Sequence, residues 1–148
     1  MTILNGDIEP EGALVDVLIG LSGTELHRLR LASSPIPAAV QLRGVLDTGA
    51  ECTCIDLQAA GPLTLPVEGI TLVNAPALGG LTASTQYDAG LTSLHPSGNP
   101  SDHLVSVDLV VADQPLGVLA YQVLIGRDVL ARCAFLYNGM TGKFSLDY

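Results

Sequence analysis

The chain has 148 residues, 48% of them apolar, which is enough to bury a core and fits one domain. Six basic residues stand against fifteen acidic ones, for a net charge of −9, and this leaves too few cations to hold nucleic acid or an anionic membrane surface. No apolar run approaches the ~18 residues of a membrane span, and Met1 to Glu11, polar and acidic, does not read as a secretory leader.

In chain order, residues 1–12 read as a flexible arm and residues 13–148 as the folded domain. Glycines and prolines, 16 and 9, are scattered and divide the chain into short segments, the texture of an all-β protein. Val15, Val17 and Ile19 alternate with Asp16, which predicts a strand. Ser33 to Pro37 reads as a loop. A strand through Val45-Leu46 ends at Asp47. His95 to Asp102, rich in Pro, Ser, Gly and Asn, reads as an exposed insertion between strands. Val105, Val107, Leu109 and Val111 predict a second clear strand, and Val123-Leu124-Ile125 a third. Only Arg127 to Arg132 reads as a helix. Phe135-Leu136-Tyr137 and the alternating Phe144, Leu146 and Tyr148 predict a C-terminal hairpin, its Asn138-Gly139 turn lengthened by Met140-Thr141-Gly142. Three cysteines, Cys52, Cys54 and Cys133, are an odd count that suits reduced thiols in a cytoplasmic setting better than a disulfide scaffold. The Cys52-x-Cys54 spacing without a second cysteine pair is weak metal-ligand chemistry. His27, His95 and His103 read as solvated or locally bonded.

The chemically informative stretch is Gly44-Val45-Leu46-Asp47-Thr48-Gly49-Ala50. It puts a carboxylate at the end of a buried strand on a tight turn, where a hydroxyl can bond across and glycine permits close backbone approach. Asp-Thr-Gly alone is also ordinary turn chemistry. The second motif, Val123-Leu124-Ile125-Gly126-Arg127-Asp128, runs an apolar strand into Gly-Arg-Asp and a short helix. Between them lies Ala77-Leu78-Gly79-Gly80-Leu81, followed by Thr85-Gln86-Tyr87-Asp88.

In this order of motifs, from about Ala13 onward, the chain resembles the retropepsins, aspartic proteases of the retroviral type. The resemblance implies an all-β, single-domain closed barrel or sandwich with one short C-terminal helix, acting as a homodimer. It makes Asp47 the catalytic aspartate, Thr48 the residue that locks two active-site loops together, and Gly49 a backbone contact to substrate. It implies an ion pair between Arg127 and Glu51, where the family more often has Asp. It places Leu78, Gly79 and Gly80 at the tip of a flap, and Val45, Ala50, Cys54, Tyr121, Gln122 and Leu124 around the substrate side chains.

Aspartic-protease chemistry takes two carboxylates that share one proton about one water. This chain carries one Asp-Thr-Gly; Asp88-Ala89-Gly90 lacks the hydroxyl and follows Thr-Gln-Tyr. The second aspartate therefore has to come from Asp47 of another copy, which implies an obligate two-fold homodimer with the site on its axis. The expected activity is endopeptidase cleavage of an extended peptide by a dyad-activated water, with neither metal nor cofactor. The alternative is a catalytically silent, dimeric peptide-binding or adaptor domain of the same fold.

Overall fold

In β2 (Gly12–Gly20), alternation puts Val15, Val17 and Ile19 inside and leaves Asp16 in water, as a strand with one wet position requires. The computed structural model describes residues 1–75 and 79–148. The elements around β2 are β1 (Ile3–Glu9), α1 (Gly23–Leu31), β3 (Val40–Leu46), β4 (Cys54–Ile55), β5 (Val67–Ala75), β6 (Gly80–Ser93), β7 (Leu104–Asp113), β8 (Val123–Ile125), α2 (Arg127–Leu130), β9 (Ala134–Asn138) and β10 (Lys143–Asp147). The strands join in the order β5-β6-β7-β4-β8-β3-β2-β1-β10-β9. An additional pairing of β6 with β2 makes the ladder run in a circuit through β2, β3, β8, β4, β7 and β6. The protein is thus mostly strand, as its composition and alternation suggest. Among the described residues no helix is long and apolar enough to cross a membrane.

Two elements differ from the sequence reading. The opening residues do not hang free as an arm: β1 pairs antiparallel with β10 from Ile3↔Asp147 to Asp7↔Lys143, and then with β2 at Ile8↔Ala13. Its sequence is polar because only Leu4 turns fully inward, and its order comes from a partner near the other end of the chain. The second difference is α1, a helix where the sequence reading has none. Ser22 caps it by accepting from the Glu25 N–H at 3.1 Å, and Glu25 pairs with Arg28 one turn on. Only Leu26 and Leu29 of α1 lean on the core, so its apolar stripe is too thin to show as periodicity. The predicted C-terminal helix is present as the single turn α2, and the C-terminal hairpin is β9–β10 joined by residues 139–142.

The main core lies on one face of the circuit: Val17, Ile19, Leu46, Ile55, Leu91, Val111, Val123 and Ile125 meet there. Because successive strand residues point to opposite faces, the intervening positions of β3, β4 and β8 project to the other side. That second face holds the candidate site.

Candidate active site

Asp47 follows β3 directly, and its backbone continues the parallel β3–β8 ladder by donating to the Ile125 carbonyl at 3.0 Å. The chain then turns back: the Ala50 N–H reaches the Asp47 carbonyl at 3.2 Å, and the Gly49 N–H donates to Asp47 Oδ1 at 2.8 Å. One carboxylate oxygen is thus held by the turn itself, which sets its direction. Asp47 is half-buried, and Thr48 and Gly49 are exposed at the apex. Among the described residues no cation lies within ion-pair distance of Asp47.

The turn is braced from β8 and α2. The Arg127 N–H donates to the Ala50 carbonyl at 2.9 Å, and its guanidinium Nη1 to the Thr48 carbonyl at 2.8 Å. The implied ion pair with Glu51 is not formed. Both side chains are exposed, where an ion pair gains little over water, and the guanidinium instead satisfies a carbonyl at the apex of the turn.

A further clamp centres on Asp128 in the first turn of α2. Asp128 accepts from the Thr53 N–H at 2.8 Å, the Thr53 hydroxyl at 2.7 Å and the Val129 N–H at 2.9 Å. Thr53, fully buried, passes the network on by accepting from the Gly126 N–H at 3.1 Å. The chain that leaves the Asp47 turn and the start of α2 are thereby tied to one carboxylate. Gly126 is required by space: a Cβ there would sit 2.6 Å from the Cys52 carbonyl carbon, a backbone atom with nowhere to go. Gly126→Ala is expected to cost about 2 kcal/mol or more by overpacking and to move the turn. Thermal unfolding with a parallel peptidase assay checks both effects.

Of the residues expected to surround substrate, three come together. Val45, Leu124 and Cys54 lie in direct register across β3, β8 and β4, and the row continues to Ala112 of β7. Asp47, two residues beyond Val45, belongs to the same face by strand alternation. Val45, Cys54 and Ala112 are buried and Leu124 is half-buried, so the row forms an apolar floor. Ala112 was missed because only the β4–β7 register brings it there. Ala50 is half-buried at the end of the turn. Gln122 is committed elsewhere: its Oε1 accepts from the Arg43 N–H at 3.1 Å, and its backbone bonds both Arg43 and Asp56. Tyr121 is half-buried just ahead of β8. Gly79 and Gly80 lie at the turn of the β5–β6 hairpin, with φ of +94° and +112°, the left-handed region that glycine enters without strain. Leu78 lies outside the described residues. Asp88, the other Asp-x-Gly, sits within β6 and accepts from the Ser22 hydroxyl.

Burial pushes the Cys54 thiol up to about 12, with smaller contributions from Cys52, Asp128 and Asp47. Cys52 is raised too, first by burial and further by the Asp128 and Glu51 carboxylates. Burial also raises Cys133. The reactive form is the thiolate, and raising the pKa shrinks its fraction at neutral pH. A disulfide reagent at pH 7 is therefore expected to label the folded protein slowly and all three cysteines quickly after denaturation. Fast single-site labelling of the folded chain would contradict this. Among the described residues no three His, Cys, Asp or Glu side chains gather as metal ligands.

Two surface clefts, of about 400 and 350 Å³, open beside β1 and beside α1, and Asp47 lines neither of them. No curated protein matches the chain. The family model of the retroviral aspartyl proteases matches residues 14–137, which span both the Asp47 turn and the Gly126-Arg127-Asp128 brace. The protein belongs to the retroviral aspartyl protease family.

Proposed function

We propose that the protein is an aspartic endopeptidase whose dyad is formed by Asp47 from two identical chains. The observation that carries this reading is the Asp47 turn: a lone carboxylate, aimed by its own Gly49 N–H, free of any described cation, on the face with the Val45–Leu124–Cys54–Ala112 floor. Family membership supports the chemistry, and the single Asp-Thr-Gly supports the need for a second copy. The position of Asp47 outside both clefts suits half a site, one wall of which the second copy would supply.

In the assembled site, one Asp47 is ionised and the other protonated, because two like charges a few Å apart do not both ionise cheaply. The ionised carboxylate takes a proton from water as it attacks the peptide carbonyl. The protonated one hydrogen-bonds the carbonyl oxygen as charge develops there. A neutral gem-diol results, and proton transfer to the nitrogen breaks the C–N bond. Thr48, exposed at the apex, would meet its counterpart across the axis. Gly79 and Gly80 would bring the β5–β6 hairpin over an extended peptide, whose alternate side chains would enter pockets floored by the apolar row. Apolar residues beside the cut are favoured for that reason.

Activity should be greatest in acid and fall as pH rises, because the dyad works only while it keeps its shared proton. The test is digestion of a denatured protein at acidic pH, with and without a transition-state-mimicking aspartic-protease inhibitor. Cleavage that the inhibitor abolishes is the expected result; cleavage indifferent to it would sink the proposal.

A further inference from the structure

Of the two clefts, the one beside α1 is lined by no charged side chain among the described residues, so nothing in it would fix the polar end of a ligand. The other, of about 400 Å³, lies between β1, the β2–β3 pair and the loop that joins β6 to β7, and it carries charge of both signs. Its volume falls within the ~300–1,000 Å³ of small-molecule sites. Asp47 does not line it, and the peptidase reading makes no use of it.

Three side chains build the polar end. Asp16 and Arg43 stand directly opposite each other across β2 and β3. Their pair is not closed: Arg43 Nε lies 3.7 Å from Asp16 Oδ1, beyond hydrogen-bond reach, and is enclosed with no partner. The guanidinium is drawn instead to Glu9, which accepts from Nη2 at 2.8 Å. Among the described residues, neither Arg43 Nη1 nor the Asp16 carboxylate has a hydrogen-bond partner. His103 supplies the third group. Its Nδ1 accepts from the His95 N–H at 3.0 Å, which places the ring proton on Nε2 and leaves a donor there. The His95 ring, by contrast, is committed: Nδ1 accepts from the Ser97 N–H at 3.1 Å, and Nε2 donates to the Ile3 carbonyl at 3.0 Å. The apolar end is made by Leu4 and Phe144, both buried, and by half-buried Leu94.

These groups select a ligand by its charges. A bare carboxylate is disfavoured, because Arg43 already sits between Glu9 and Asp16 in a chain of net charge −9. A bare amine would leave the Arg43 and His103 donors unmet. A molecule that bears both charges on one carbon answers each free group and brings no net charge. We propose that this cleft binds a free α-amino acid with an apolar side chain. Its carboxylate accepts from Arg43 Nη1 and His103 Nε2, its ammonium donates to Asp16, and its side chain lies against Leu4, Leu94 and Phe144. The proposal does not depend on the dyad reading.

Titration with L-leucine, followed by calorimetry and by backbone amide shifts, tests the site. Saturable one-to-one binding is expected, with the shifts centred on Asp16, Arg43 and His103. Isocaproate, which lacks the ammonium group, and isoamylamine, which lacks the carboxylate, should each bind roughly tenfold more weakly or worse, the scale of one lost charged hydrogen bond. Asp16→Asn and Arg43→Met should weaken leucine binding by a similar factor. Asp16→Asn keeps the Arg43–Glu9 pair and carries the test if Arg43→Met does not fold. Asp47→Asn should bind leucine as the wild type does. No saturable binding at millimolar leucine, equal binding of isocaproate, an unaltered affinity in Asp16→Asn, or shifts centred on Asp47 would each overturn the proposal and leave the peptidase reading standing.

Discussion

Asp47→Asn is expected to lower peptidase turnover by roughly 10³-fold or more, because in the proposed homodimer one substitution removes both halves of the acid–base pair, and general acid–base catalysis alone is worth about 10²–10⁴. Asparagine is nearly isosteric, and its amide oxygen can still accept from the Gly49 N–H, the one bond that holds Asp47 Oδ1. The turn should therefore survive, and so should the dimer and its grip on peptide. Turnover and solution mass measured on one preparation give the answer. An active Asp47→Asn protein would remove Asp47 from the chemistry. A wild-type protein that binds peptide but never cleaves it would instead support the silent adaptor reading. The chemistry is thus separable from the proposed assembly.

Asp128→Ala should produce the second large effect, this one on stability. The carboxylate takes the Thr53 N–H, the Thr53 hydroxyl and the Val129 N–H, and Thr53 is fully buried. Alanine leaves both donors of buried Thr53 without their acceptor, at a place where Asp128 itself is exposed, and an unsatisfied buried donor costs ~1–3 kcal/mol. A total loss of about 3 kcal/mol corresponds to a fall in Tm of roughly 6–12 °C for a chain of this size. Asp128→Asn keeps one acceptor oxygen and should fall between wild type and alanine. Thermal denaturation of the three proteins at neutral pH orders them. A Tm for Asp128→Ala within a degree of wild type would show that water satisfies Thr53 and that the brace carries little. Because the brace ties the Cys52–Thr53 chain to Gly126, Asp128→Ala should also lose activity below its own Tm, as the Asp47 turn loosens.

The local features of this protein were legible in its residues because adjacent side chains write them. Asp47-Thr48-Gly49-Ala50 makes its own turn through bonds that span two or three residues. The alternation of Val15, Asp16 and Val17 defines an amphipathic strand wherever it lies. The Phe135–Tyr148 segment closes on itself as a hairpin through its own loop. Family membership was legible for the same reason, since it rests on two such short motifs.

What lay beyond reach depends on partners far off in the chain. β1 looks like a loose polar end until β10, well over a hundred residues later, supplies its hydrogen bonds. α1 shows too little apolar stripe to announce itself, and it is held by a cap and by Leu26 and Leu29 against a core assembled elsewhere. Motif order implied that Arg127 reaches Glu51, but the fold gave it the Thr48 carbonyl instead. Ala112 joins the floor beneath Asp47 only through the pairing of β4 with β7. Residue chemistry thus settled which carboxylate stands on which turn. Strand register, which a one-residue slip would invert face for face, decided what surrounds it.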